Sequence, residues 1–496
     1  MEKEAVVPSF KNMFKTMDLT KGSIFKALFY FSLPLFLSSL ITSAFGLINS
    51  LVLKYTVGGD AVTAINVTGS ISSLLFNFAF GAVSGFSTIT ANYFGSKNSE
   101  GCGKSIYHSL YISLVVSLVI SAIGFIFLNP MIAFLNIDEV YIADAKAYFV
   151  IILAMFPLTM LNNLLAAEMR SLGNSFFPLL VSIIQAGINV VFALLFTGPA
   201  SMGVRGAAFA SLIACSFAIA IYIVYILLKY PVYRPAKKYL KIDWQMIWSL
   251  LKLGLPLGFQ WSILFIGSFI QSSVINQFGS GAASKANVVS MNYENYISMV
   301  VLFLGNGLLT FVAQNYGANK IARIRKAIQI CWVSTMVLWV ATISISMFII
   351  PYISYVFLPR DEVTEQVLYY VNTYCYIISF CLVLQGSLRI FRSVLQGIKK
   401  SLWPLLSGIG ELGARALVCL LLPGHIDPAN PTSNAAYVGV AFSNPSAWLA
   451  STLIMGFAVL YFVTKGVLKK ETPDKKTVEE VKEENKEENS TPQSEI

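Results

Sequence analysis

The sequence is short of charge. Asp, Glu, Lys and Arg make up 12% of its 496 residues, against about 25% in a soluble domain. A water-soluble globule of this size is excluded, because it could not cover its surface. Histidine is scarcer still. His108 and His425 are the only two, too few and too far apart for a metal site or a proton relay. The six Cys (102, 215, 331, 375, 381, 419) form no C-x-x-C and have no His beside them, which reads as small apolar filler. No G-x-x-x-x-G-K-[ST] run is present, so the chain carries no phosphate-binding loop for ATP. Gly (33) and Pro (18) are ordinary for the length, which excludes collagen-like and low-complexity chains.

Apolar side chains are abundant, at 56% of the sequence. They lie in long continuous runs rather than in strict alternation, so helices are expected and a β-barrel is not. The pattern predicts an all-α polytopic membrane protein with twelve transmembrane helices. They fall at 24–53, 62–92, 106–128, 139–167, 176–197, 206–228, 246–277, 285–312, 327–350, 363–390, 402–423 and 436–464. No short apolar segment ends in a cleavage site, so the first span is expected to stay in the mature protein.

The loops alternate in charge. One side carries the Lys-rich N-terminal tail, Lys97, Lys104, Arg170, the basic 229–245 segment, the 314–326 loop, Arg392, Lys399, Lys400 and Lys465 onward. The other carries only Lys54, Lys146, Arg205, Lys285 and Arg360. The positive-inside rule then places both termini in the cytoplasm and suits a multi-pass protein of the plasma membrane. The net charge of +10 therefore reports topology, and no nucleic-acid partner is expected. Residues 471–496 carry nine acids and four lysines and read as a solvated, disordered tail.

The chain also repeats itself. Leu33-Pro34-Leu35 recurs as Leu255-Pro256-Leu257, Ala91–Gly95 as Ala313–Gly317, and Arg170-Ser171 as Arg392-Ser393, each 222 residues later. An even number of helices in each half makes the repeat parallel. The expected organisation is an N-terminal tail (1–22), an N-lobe of helices 1–6 (23–228), a linker (229–245), a C-lobe of helices 7–12 (246–464) and an acidic tail (465–496). Two pseudo-symmetric six-helix lobes are a transporter architecture, with substrate held between them near the midplane.

These motifs resemble the multidrug and toxic compound extrusion (MATE) transporters, part of a superfamily that also holds lipid-linked oligosaccharide flippases. The resemblance rests on Leu33-Pro34-Leu35, the Val57–Gly69 run, Ala91–Lys97, Arg170–Asn174 with Pro178, Gly254–Gln260 and Ala313–Ala318, and spans nearly all of 21–465. It implies export of organic cations or amphipathic drugs in exchange for H⁺ or Na⁺, by a monomer in the lipid bilayer with no other cofactor. In bacterial branches of the family, acids in helices 1 and 5 are implicated in coupling. Their places here are taken by Asn49 and Ala193, with Asn189 nearby. Another branch uses an acid in helix 7, where this chain has Gln260.

Charge inside hydrocarbon is costly, roughly 2.5–3.5 kcal/mol per residue on insertion scales, so the exceptions are candidate sites. Glu411 and Arg415 sit at i and i+4 on one helix face. They form either a structural ion pair or a coupling site in which protonation of Glu411 frees Arg415. Glu294, within Asn292-Tyr293-Glu294, has no basic residue at i±3 or i±4. Desolvation disfavours its charged form, which suits a group that takes a proton in one state and attracts a cation in another. A carboxyl bonded within its own lobe is the alternative. Glu168, at the end of the fourth helix, reads as an interfacial pairing residue. Glu294, Glu411 and Arg415, together with Asn49, Gln260, Asn292 and Tyr293, form the expected substrate and ion site. A flippase for a lipid-linked glycan is the rival reading, and the apparent scarcity of membrane-buried Arg counts against it. An intramembrane enzyme would need a catalytic constellation that the sequence does not offer.

Overall fold

The structure, a computed structural model, describes residues 16–57, 59–130, 139–230, 233–234, 236–278 and 281–468. Residues 469–496 of the acidic tail, most of the N-terminal tail and the side chains of 58–71, with most of the Val57–Gly69 run, lie outside the described residues. The described elements are helices, with no strand among them.

The N-lobe contains α1 (Ile24–Thr56), α2 (Gly59–Gly95), α3 (Ser99–Ile126), α4 (Glu139–Ser171), α5 (Phe176–Thr197) and α6 (Gly203–Lys229). The C-lobe contains α7 (Trp244–Ile275), α8 (Ala282–Val301), α9 (Phe303–Gly317), α10 (Ile321–Phe357), α11 (Glu365–Gly397), α12 (Leu402–Ile426), α13 (Asn434–Ala441) and α14 (Ser443–Thr464). Eleven of the described spans are long and apolar enough to cross a membrane, α13 and α14 counting as one. The pair α8 and α9, bent by 51° at Leu302, makes a twelfth. Polar residues start several helices: the Asn98 side chain accepts from Gly101 N at 2.8 Å, and that of Asp243 from Met246 N at 3.1 Å. The 229–245 linker forms one helical turn, Lys237–Leu240, against α3. There Tyr239 stacks on Tyr107, and the Asp243 amide donates to His108 Nε2 at 2.8 Å.

The internal repeat appears in backbone detail. The turn after α2 closes with Ser96 N to Asn92 O, Lys97 N to Phe94 O and Asn98 N to Tyr93 O, each at 3.0 Å. The turn after α9 repeats these bonds 222 residues on, with Lys97 and Asn319 at the same left-handed φ of 58° and 55°. From the fourth helix the offset is 226, because α10 is longer than α3: α4 and α11 each have 33 residues, beginning at Glu139 and Glu365. Arg170 is therefore equivalent to Gln396, and its sequence match with Arg392 is out of register by one helical turn.

Each lobe's first helix lends its opening turns to the other lobe's core. Ile24, Leu28 and Phe31 of α1 pack among C-lobe residues such as Leu304, Leu308 and Phe311. Their equivalents Met246, Leu250 and Leu253 of α7 pack among N-lobe residues such as Ala82, Phe86 and Leu164. The spacing of 4 and 3 is one helical stripe. Where α7 crosses α2 the backbones touch: a Cβ on Gly85 would meet Gly254 Cα at 2.6 Å, so only small residues permit the crossing. Pro34 and Pro256 stand just beyond the two stripes, inside their helices.

The lobes meet most closely at the face that carries Lys97, Lys320, Lys399 and Lys400, here called the basic face. Gln314 Nε2 donates to Ser171 O at 2.9 Å, and Asn92 Nδ2 to Gly397 O at 3.4 Å. The segment before α1 straps both lobes. Met17 N donates to Gly173 O in the N-lobe at 2.9 Å, and Leu19 N to Gln314 Oε1 in the C-lobe at 3.1 Å.

Candidate functional site

A cavity of about 800 Å³ lies between the lobes, near the upper end of the range for drug-sized ligands. Polar stripes on apolar helices build it. On α1 the stripe is Ser38, Thr42, Asn49; on α4 it is Thr159, Asn162, Asn163, Arg170; on α5 it is Ser182, Gln185, Asn189. These spacings follow the helical period, so each stripe faces one way. Some polar groups pair across the wall, as Ser38 with Ser182 at 3.1 Å and Asn189 with Ser211 at 2.9 Å. Asn49 Oδ1 and Asn162 Oδ1 are buried with no hydrogen-bond partner.

The C-lobe wall holds Trp261, Asn306, Arg389, Arg392 and Gln396. The Arg389 guanidinium lies 5.2 Å from the Trp261 ring centre and that of Arg392 5.9 Å. Phe80 of the N-lobe meets the same indole edge-on at 5.2 Å. Among the described lining residues the charged ones are Arg170, Arg389 and Arg392, with no Asp or Glu. Among the described residues, ion pairs inside the spans engage Arg392 and Arg415, and neither Arg170 nor Arg389 takes part in one.

Behind Arg392 lies a buried charge cluster. Glu411 Oε2 accepts from Arg392 Nη2 at 3.2 Å, and its Oε1 is 3.7 Å from Arg415 Nη2. Arg415 also donates to Leu264 O and Ser268 Oγ, both at 3.2 Å. Gln260, with its amide oxygen turned to Arg392, accepts from Nε at 2.8 Å. The expected Glu411–Arg415 pair is therefore present, with Arg392 as a nearer partner. One carboxylate shared by two guanidinium groups leaves a net positive charge at a buried site.

Glu294 sits elsewhere, inside the C-lobe. Its Oε2 accepts from Tyr374 OH at 2.8 Å and from Asn444 Nδ2 at 3.0 Å, while Asn444 Nδ2 is 2.7 Å from the Tyr374 oxygen. Arg415 is close enough to attract the Glu294 carboxylate, with no hydrogen bond or ion pair between the two among the described residues. Asn444 Oδ1 and both amide atoms of nearby Gln271 are buried without a hydrogen bond of ordinary geometry.

The residues expected to form one site are thus divided. Asn49 and Asn189 line the cavity, and Gln260, Glu411 and Arg415 stand behind its wall. Glu294 is not among the residues that line the cavity. Its neighbours in sequence turn away: Tyr293 pairs with Ser379 at 2.7 Å, and Asn292 bonds to Val288 O at 2.8 Å. Ala193 is fully buried. Glu168 is buried and accepts from Ser171 Oγ at 3.1 Å, so its pairing is internal rather than interfacial.

The charge alternation placed Arg170 and Arg392 among the loops of the basic face; both instead lie on helices and line the cavity. Arg389, which has no place in the charge alternation, lines it as well. The cause is one boundary. The tenth span was expected to end at 390, which put both C-lobe arginines at or beyond a helix end, whereas α11 continues to Gly397. Membrane-buried arginine is consequently not scarce. The signal available was Leu388-Arg389-Ile390-Phe391, an arginine between apolar residues.

The MatE family model matches residues 34–195 and 256–421. The chain belongs to the MATE family. The two matched segments start 222 residues apart and end 226 apart, as do the structural repeats. Among curated relatives, the probable multidrug resistance protein YoeA of Bacillus subtilis is 25% identical over 459 residues, 91% of this chain and 96% of its own. The FAD transporter of Shewanella oneidensis is 24% identical over 326 residues, 62% of this chain and 69% of its own. Among solved structures, an outward-facing multidrug resistance MATE transporter superimposes with a TM-score of 0.81 at 17% identity, covering 92% of this chain and all of the other. The fold is that of the MATE transporters, and the chain is a multi-pass membrane transporter rather than an enzyme.

Proposed function

We propose that this MATE transporter exports amphipathic compounds by alternating access, in exchange for H⁺ or Na⁺. The observation that carries the reading is the placement of the cavity. It lies between two pseudo-symmetric lobes and is sealed at the basic face by contacts that are themselves reciprocal between the repeats. Rocking about the α1 and α7 stripes would exchange this closure for one at the opposite face. With the basic face in the cytoplasm of a cell bounded by its plasma membrane, the conformation described here is the outward-open one. Such a chain works as a monomer, since both lobes lie within it.

Glu294 is the proposed coupling site. It is a carboxyl that can take a proton, held by a hydroxyl and an amide, and the nearby amide oxygens of Gln271 and Asn444 could help it ligate a small cation. Glu411 and Arg415 are its relay toward the cavity wall, because Arg415 senses Glu294 and contacts Glu411. The membrane potential supplies about 2.3 kcal/mol per charge per 100 mV, roughly a fiftyfold gradient. The family's usual cargo is an organic cation, and amphipathic cargo fits the mixed lining. Relatives bear names as different as multidrug resistance protein and FAD transporter. The three cavity arginines also favour a second reading, a flippase for a lipid-linked glycan or related lipid. Vesicles with separately imposed pH and Na⁺ gradients test the exporter reading: dye or drug counter-transport under one of them supports it, and none under either defeats it.

A further inference from the structure

The charge of the cavity bears on what it carries. Arg170 is in the last turn of α4 in the N-lobe, and Arg389 is on α11 in the C-lobe, so the two arginines come from facing lobes. Each lines the cavity, and neither has an ion-pair partner among the described residues. Arg392 stands three residues from Arg389, on the same face of α11, with its charge shared by Glu411. The rest of the polar lining is neutral, made of amides and hydroxyls that can donate as well as accept. Guanidinium groups remain charged in any physiological state and match the oxygens of phosphate and carboxylate. A cation in this cavity would meet like charge and no described carboxylate on the walls. An anion would meet two guanidinium groups with no carboxylate within ion-pair distance among the described residues, Glu168 and Glu411 attracting them only from behind the lining, and an indole face beside Arg389.

From this arrangement we infer that the cargo is an anionic amphiphile, a phosphate or carboxylate joined to an aromatic or apolar body. The inference rests on the transporter reading and names its substrate class. Its anionic group lies between Arg170 and Arg389, and its apolar part packs on Trp261 and Phe80. The pairing also gives binding a mechanical consequence. In the empty cavity two like charges on facing lobes oppose narrowing; an anion between them removes the opposition, so the loaded cavity closes more readily than the empty one. An anion leaving the cell and a cation entering both move positive charge inward, so the potential assists both halves of the exchange.

The test is equilibrium dialysis of the purified full-length protein in detergent against two probes with one aromatic body, naphthyl phosphate and naphthyltrimethylammonium. The expected result is tighter binding of the phosphate by about tenfold or more, the order of one charge-assisted contact. Arg389→Gln should abolish that preference, and Arg389→Lys should retain part of it. Equal binding of the two probes by the unmodified protein, or preference for the cation, would overturn the inference without reference to any variant. Repeating the phosphate measurement in phosphatidylcholine vesicles with and without dioleoyl phosphatidate identifies the source. Competition by the phosphatidate assigns a lipid headgroup, and its absence assigns a water-soluble anion. Gradient-driven transport of the cation with no anion binding defeats this inference and leaves the exporter reading intact. Anion binding without gradient-driven transport does the reverse.

Discussion

Gly95 and Gly317 occupy equivalent places in the two repeats, and each presses its α-carbon on the strand of chain that holds the other. A Cβ on Gly95 would lie 1.9 Å from Gln314 O, and one on Gly317 would lie 1.9 Å from Asn92 O. Asn92 and Gln314 are themselves equivalent, so the contact is a reciprocal handshake across the pseudo-twofold axis. Backbone cannot yield as a side chain can. Gly95→Ala or Gly317→Ala is therefore expected to prevent this closure of the basic face rather than to unfold either lobe. Spin labels at the exposed, equivalent turn positions Lys97 and Asn319 would report it: a longer-distance population should replace the short one, and transport should fall by about tenfold or more. Unchanged distances would mean that the lobes do not part here.

The strap before α1 reinforces the same closure. Arg323 donates to the backbone oxygens of Leu19, Lys21 and Gly22, at 3.2, 3.1 and 2.8 Å. Asn315 also bonds to Leu19 O at 3.2 Å. Hydrogen bonds from a charged donor contribute about 1.5–3 kcal/mol each when well desolvated, and less at this half-exposed position. Arg323→Ala should raise the population open at the basic face by roughly tenfold, about 1.4 kcal/mol. The same label pair measures it, with thermal stability of the separate lobes little changed.

Glu411 carries a different load. Removing it leaves Arg392 and Arg415 buried with no carboxylate between them, a loss of the kind that costs roughly 3–5 kcal/mol. Glu411→Gln should lower the thermal unfolding midpoint of the detergent-solubilised protein accordingly. Combining Glu411→Leu with Arg415→Met should recover part of the loss, because Arg392 alone can turn to the cavity. A Glu411→Gln protein as stable as the wild type would show that the cluster is solvated.

The architecture was readable because its causes are local. Apolar runs long enough to span a bilayer declare themselves, and Leu33-Pro34-Leu35 and Ala91–Gly95 returned at the offset that the structure shows for their helices. Arg170-Ser171 and Arg392-Ser393 show the limit. A two-residue match cannot reveal that a longer α10 has moved the register by a turn. The site was less legible, since it depends on which face of a helix turns inward and where a helix ends. Ending the tenth span at 390 hid Arg389 and sent Arg392 to the wrong compartment. Glu294 and Glu411 were visible as anomalies, but their partners Tyr374, Asn444 and Arg392 come from other helices, and no spacing along the chain encodes them.

Coupled exchange through Glu294 is tested most directly by one measurement. Purified protein in sealed vesicles is given a pH gradient or a Na⁺ gradient separately, and counter-transport is followed for the wild type and for Glu294→Gln. One of the two gradients should drive the wild type. Glu294→Gln should retain substrate binding but lose gradient-driven movement by about tenfold or more, because the amide keeps the contacts to Tyr374 and Asn444 without a proton to exchange. Full coupled transport by Glu294→Gln at normal protein levels would remove Glu294 from the mechanism and contradict the account.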